Sequence, residues 1–161
     1  MSENKKILIT GGMRSGKSSY ALQLADQIEG EKAFIATAQA TDDDMKVRIQ
    51  RHKEERSNVY QTIEEPVYLS RALNSLRGSA NVVVIDCLTL WVSNLLFASK
   101  KDIDIEGEIS LFATSLQQAQ TDIIIVTNEV GLGIIADNKL SRDFTEKLGF
   151  LNQKIAQVCD D

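Results

Sequence analysis

Lys17 and Ser18 close the octapeptide Gly11-Gly12-Met13-Arg14-Ser15-Gly16-Lys17-Ser18, in which glycines, an amine and a hydroxyl fall at the spacing G-x-x-x-x-G-K-[ST]. A loop of this kind turns successive backbone N–H groups inward, making a cradle for phosphate oxygens. Lys17 is expected to reach the terminal phosphates and Ser18 to ligate Mg²⁺, while the helix that starts there adds the positive end of its dipole. The pattern is a phosphate-binding P-loop, with Met13, Arg14 and Ser15 in its variable positions.

Two more residues have types suited to phosphate chemistry. Asp86 ends the apolar run Val82-Val83-Val84-Ile85, where a carboxylate can hold Mg²⁺ directly or through water beside Ser18; the alternative is a strand-end Asp that caps the turn at Cys87-Leu88-Thr89. His52 is the chain's single histidine, and Arg48, His52 and Arg56 recur every four residues, so they share one helix face with Arg51 and Lys53 adjacent. An imidazole in that setting is expected to stay neutral and nucleophilic while the cations gather phosphate, with Glu55 able to orient its second ring nitrogen. A solvated basic face with an incidental histidine is the competing reading.

The elements that must position these groups can be read from periodicity. Lys6 to Thr10, Lys32 to Thr37, Val59 to Ile63, Asn81 to Asp86 and Asp122 to Thr127 read as strands. Between them, helices are expected from Ser19 to Ala25, from Met45 to about Arg56 behind the cap Thr41-Asp42-Asp43-Asp44, from Pro66 to Arg77, from Thr89 to Ala98 and from Glu108 to about Gln120. Ser99 to Gly107 reads as an acidic loop, and Leu140, Phe144, Leu148, Leu151 and Ile155 as the stripe of a final helix. Strands alternating with helices imply an α/β fold, a mostly parallel central sheet with helices on both faces and ligands at the carboxyl ends of the strands.

Composition narrows the function classes. A chain of 161 residues suits one domain with a core of its own, and a net charge of −5 argues against a surface that coats nucleic acid. Cys87 and Cys159 lie far apart without metal spacing, and one histidine cannot build a Cys/His zinc site, so reduced thiols are expected. Without a signal-peptide core or an apolar run long enough to span a bilayer, a cytoplasmic location is expected. Gly131-Leu132-Gly133-Ile134-Ile135-Ala136 fits G-x-G-x-x-A formally, but it stands four residues after its strand and no later strand carries a ribose-binding acid, so it reads as a loop near the site. Thr127-Asn128-Glu129 lies at a strand end, where Asn128 and Glu129 can face nucleotide or acceptor, and it is not the N-K-x-D guanine-reading motif. These residues alone leave open a small-molecule kinase and a RecA-like ATP-binding module acting through partners.

Taken together, the blocks resemble the bifunctional adenosylcobinamide kinase/adenosylcobinamide-phosphate guanylyltransferase family of cobalamin biosynthesis. The resemblance rests on Ile9 to Ser18, Phe34-Ile35-Ala36-Thr37-Ala38-Gln39, Asp43-Asp44-Met45, Arg48-Ile49-Gln50-Arg51-His52-Lys53, Asp86-Cys87-Leu88-Thr89 with Trp91-Val92-Ser93-Asn94-Leu95-Leu96, and Val126 to Ile134, in family order. It implies a three-layer, RecA-like P-loop fold, and His52 as a nucleophile that takes GMP from GTP as a guanylyl-histidine. It also implies Lys17 and Asp86 as catalytic groups with Mg²⁺ on Ser18 and Asp86, and ATP or GTP as phosphoryl donor to the aminopropanol hydroxyl of a corrinoid, adenosylcobinamide. Nucleotide contacts are implied for the P-loop, for Thr37, Ala38 and Gln39, for Lys53, Glu54, Glu55 and Arg56, and for Glu64. Family members are expected to be homotrimers and to continue past the final helix into another hydrophobic strand, which this sequence does not contain after Cys159-Asp160-Asp161.

Overall fold

The computed structural model describes residues 4–56, 58–98 and 102–161, so the part of the expected 99–107 loop at 99–101 lies outside the described residues. Five strands form one sheet: β1 (Lys6–Ile9), β2 (Lys32–Ala36), β3 (Tyr60–Glu64), β4 (Val82–Asp86) and β5 (Asp122–Val126). All are parallel, in the order β1-β5-β4-β2-β3, with β4 in register with both neighbours (Ile85 opposite Ile35 and Ile125). Helices α1 (Lys17–Asp26), α2 (Asp43–Glu55), α3 (Leu69–Ser75), α4 (Leu88–Ala98), α5 (Ile105–Gln118) and α6 (Lys139–Ala156) fill the connections.

The runs of Val and Ile in β4 and β5 are buried on both faces because side chains alternate along a strand and each face meets a helix layer. Ala33, Ile35, Val83, Ile85, Ile123 and Ile125 point to a core shared with α3, α4, α5 and α6. Phe34, Val82, Val84, Ile124 and Val126 point the other way, against Ala21 and Ala25 of α1. The larger core is closed by Trp91, fully buried, edge-on to Phe112 at 5.2 Å and donating its indole N–H to the Val67 carbonyl at 2.6 Å.

Three boundaries differ from the sequence reading. Pro66 does not open a helix: the Glu65 carboxylate accepts from the N–H groups of Val67 and Tyr68, both at 2.9 Å, and so closes a turn that delays α3 to Leu69. α5 begins at Ile105 and not Glu108, because Asp104 caps it by accepting from the Gly107 N–H at 3.0 Å. Leu140, expected in the buried stripe of α6, is exposed, and the stripe begins to pack at Phe144. Beyond α6 the backbone returns to the outer edge of β1, where Asp160 N–H donates to the Lys6 carbonyl and Leu8 N–H to the Asp161 carbonyl, both at 2.8 Å.

Candidate functional site

The P-loop joins β1 to α1 at the carboxyl edge of the sheet. Gly16 is the residue before the helix and takes φ +87°, a left-handed conformation that costs glycine nothing and turns the chain so that Lys17 starts α1. Lys17 Nζ donates to the Gly12 carbonyl at 2.5 Å, which holds the ammonium over the loop. The far side is tied down by Glu129 N–H, which donates to the Gly11 carbonyl at 3.0 Å, so the segment after β5 braces the loop.

Asp86 ends β4, and β5 lies between it and the P-loop strand. Its half-buried carboxylate sits at the floor of a cavity of about 730 Å³ that also exposes Met13 to Ser19 of the P-loop. Val126 and Asn128, at the end of β5, fill the floor between the two strands. The opposite wall is α2, which begins where Asp42 accepts from the Met45 N–H at 2.7 Å. From that helix Arg48, Arg51 and His52 face the same cavity. The fold therefore places the P-loop lysine and serine, the strand-end carboxylate and the histidine around one space, although they are scattered over 70 positions of sequence from Lys17 to Asp86.

The other sequence-derived contacts fall outside that cavity. The Gly11 and Gly12 carbonyls are taken by Glu129 N–H and Lys17 Nζ, as above. Lys53 and Glu64 pair with each other at 2.5 Å, joining α2 to the end of β3, and Glu54 accepts from Gln50 Nε2 at 3.0 Å on the same helix. Ala38 and Gln39 follow β2, with Gln39 exposed; the Glu55 side chain lies outside the described residues. Arg56 is buried, at 8% exposure, with its guanidinium 4.0 Å over the Phe34 ring and its Nη1 without a hydrogen-bond partner among the described residues. Burial lowers its pKa, and the carboxylates of Asp86 and Glu64 oppose that shift.

Several residues that support the site were not singled out from sequence. Asn94 Nδ2 donates to the carbonyls of Thr37 at 2.8 Å and Pro66 at 3.0 Å, pinning the segments after β2 and β3. Thr89 Oγ1 accepts from Asn128 N–H at 2.9 Å, and Asn152 Nδ2 reaches the Asn128 carbonyl at 3.2 Å. The sequence signals for Asn94 are its place in the Trp91 to Leu96 block and its position three residues after Trp91, on the same helix face, neither of which names its partners. Cys87, beside Asp86, is held protonated by burial and by that carboxylate, its pKa raised to about 11.

A glycine-containing loop between a parallel strand and a helix, a carboxylate at the end of a second strand and helices on both faces define a P-loop nucleotide-binding α/β protein. The crystal structure of the RadB recombinase shares this fold, with a TM-score of 0.52 and 14% identity over 89% of this chain and 70% of that one. The chain belongs to the cobinamide kinase/cobinamide phosphate guanyltransferase family, whose model matches residues 7–161. It is 39% identical over 153 residues to the bifunctional adenosylcobalamin biosynthesis protein CobP of Pseudomonas aeruginosa, covering 95% of this chain and 88% of that protein. It is 35% identical over 167 residues to the bifunctional adenosylcobalamin biosynthesis protein CobU of Salmonella typhimurium, covering 96% and 92%. Among the described residues no helix is long and apolar enough to cross a membrane.

Proposed function

We propose that the chain acts as a single catalytic domain that performs both family reactions at the cavity between the P-loop and α2. The observation that carries this reading is the common cavity of Lys17, Ser18, Asp86 and His52. In the kinase reaction the P-loop amides and Lys17 hold the triphosphate of ATP or GTP. The aminopropanol hydroxyl oxygen of adenosylcobinamide then bonds to the γ-phosphorus, the β–γ bridging P–O bond breaks, and the hydroxyl proton passes to a base or to solvent.

In the transferase reaction a ring nitrogen of His52 donates its lone pair to the α-phosphorus of GTP. The bond from that phosphorus to the β-bridging oxygen breaks and pyrophosphate leaves, its charge met by Lys17. A phosphate oxygen of the phosphorylated corrinoid then attacks the guanylyl-histidine. The P–N bond breaks, GMP passes to the acceptor to give adenosyl-GDP-cobinamide, and the imidazole is restored. Ser18 and Asp86 supply hard oxygen donors on the same cavity wall, a donor set that suits Mg²⁺ together with nucleotide phosphates. When bound there, the ion would neutralise charge on the phosphates.

Arg56 supports a nucleotide contact close to α2, because its buried Nη1 calls for an acceptor that the described residues do not provide. Ala38, Gln39, Lys53, Glu54, Glu55 and Glu64 form the remainder of the proposed nucleotide-binding set, whereas Thr37, fully buried with its N–H, hydroxyl and carbonyl all bonded within the protein, is left out of it. A cytoplasmic homotrimer completes the reading. Incubation with α-labelled GTP is expected to give an acid-labile, base-stable protein adduct that His52→Ala abolishes. Phosphoryl transfer from γ-labelled nucleotide without any covalent GMP on the wild-type chain would reduce the protein to a plain kinase.

A further inference from the structure

The geometry points to Thr37 as a positioning residue that holds the Asp86 carboxylate toward the metal side of the cavity, an inference that rests on the P-loop reading above. Thr37 is fully buried, and every polar group it owns is already used. Its N–H donates to the Asp86 carbonyl at 3.1 Å. Its hydroxyl accepts from the Cys87 N–H at 2.9 Å and donates to the Cys87 carbonyl at 2.8 Å. Its own carbonyl accepts from Asn94 Nδ2 at 2.8 Å. A side chain so committed has no donor left for a nucleotide phosphate, and Thr37 is not part of the cavity wall, whereas Asp86 and Cys87 are.

What the contacts do is mechanical. β2 and β4 are in register from Lys32 and Val82 to Ala36 and Asp86, so the ladder ends where the carboxylate begins. Asp86 is the last paired residue, opposite Ala36 and Val126, and no strand pairing fixes the Cys87 backbone past it; the Thr37 N–H and hydroxyl extend the pairing by one residue and grip Cys87 on both its N–H and its C=O. The carboxylate in front of this grip then has one backbone position from which to face Ser18. Asn94, on the helix that follows Asp86, closes the loop of contacts by holding Thr37 itself. Positioning of a metal-facing carboxylate by backbone contacts of this kind is worth about ten- to a hundredfold in metal affinity when removed.

The test compares Thr37→Val, which keeps the shape but removes the hydroxyl, with Thr37→Ser, which keeps it. Binding of a non-hydrolysable GTP analogue is measured without metal, and binding of Mn²⁺ to the analogue-loaded protein is followed by the loss of the free-ion electron paramagnetic resonance signal. T37V is expected to keep the metal-free nucleotide affinity and to bind Mn²⁺ at least about tenfold more weakly, with T37S restoring it. Equal Mn²⁺ affinity in T37V and wild type overturns the inference, as does a loss of metal-free nucleotide affinity as large as the loss for Mn²⁺, which would make Thr37 a nucleotide contact. Should T37V fail to fold, T37A, which lets water reach the Cys87 N–H, carries the same expectations at a smaller factor. A wild-type chain that binds neither analogue nor ion refutes the P-loop reading instead.

Discussion

Arg56→Met separates what the buried guanidinium does for the fold from what it does for nucleotide. In the protein alone, the stack on Phe34 at 4.0 Å is a desolvated cation–π contact of about 2 kcal/mol. Against it stands Nη1, buried without a partner among the described residues, at a cost of about 1–3 kcal/mol. The two nearly cancel, and the methionine thioether regains about 0.3–1.5 kcal/mol against the same ring. The expected change in stability is therefore within about 1 kcal/mol, or roughly 2–4 °C in melting temperature for a chain of this size. With nucleotide bound, the orphaned N–H acquires a charge-assisted hydrogen bond of about 1.5–3 kcal/mol, so the variant should bind roughly ten- to a hundredfold more weakly. Urea melts of the protein alone and titration calorimetry with a GTP analogue measure the two halves separately. A loss of about 3 kcal/mol in the melts with unchanged nucleotide affinity would refute the reasoning, because Arg56 would then be a strut and nothing more.

Two more changes probe the sheet that carries the site. Tyr60 donates its hydroxyl to Asp26 Oδ1 at 2.8 Å, and burial, followed by that carboxylate, raises the phenol's pKa above its ordinary value near 10. A raised folded-state pKa means the stabilisation is complete below about pH 10 and is lost as pH rises toward the folded value. Tyr60→Phe should therefore be less stable by about 1 kcal/mol at pH 7, the gap to wild type narrowing above pH 10 in pH-dependent melts; a constant gap would refute the linkage. Gly30 takes φ +103°, and a Cβ there would overlap the Asn81 side chain whose Oδ1 accepts from the Glu31 N–H at 2.9 Å. Gly30→Ala should cost about 1–3 kcal/mol in a urea melt, and an unchanged midpoint would show that the turn relaxes.

The parts of this protein that could be read from its sequence are those where chemistry or periodicity forces the residue type locally. Four of the five strands are largely apolar runs, and a buried parallel strand needs nothing else to be recognised, whereas β3, at the sheet edge, exposes Gln61, Thr62 and Glu64 and carries a weaker signal. The P-loop was legible because phosphate demands backbone amides, an amine and a hydroxyl within eight positions. The boundaries that moved did so through side chains acting on a nearby backbone: Glu65 before α3 and Asp104 before α5, each an acidic residue among several that composition alone does not distinguish.

Thr37 illustrates the harder case. As a sequence position it belongs to a block of phosphate-site residues, and its type suits either a nucleotide contact or a brace. Which of these it is depends on Cys87, fifty residues away, arriving beside it, and that follows only from the strand order β4-β2. A buried hydroxyl takes the partners that topology brings, and topology is non-local. The same holds for His52: its cationic helix face could be counted from the spacing, but α2 ends at Glu55, so Arg56 leaves that face to stack on Phe34, and only the placement of α2 across from Lys17 and Asp86 makes Arg48, Arg51 and His52 one wall of a phosphate cavity.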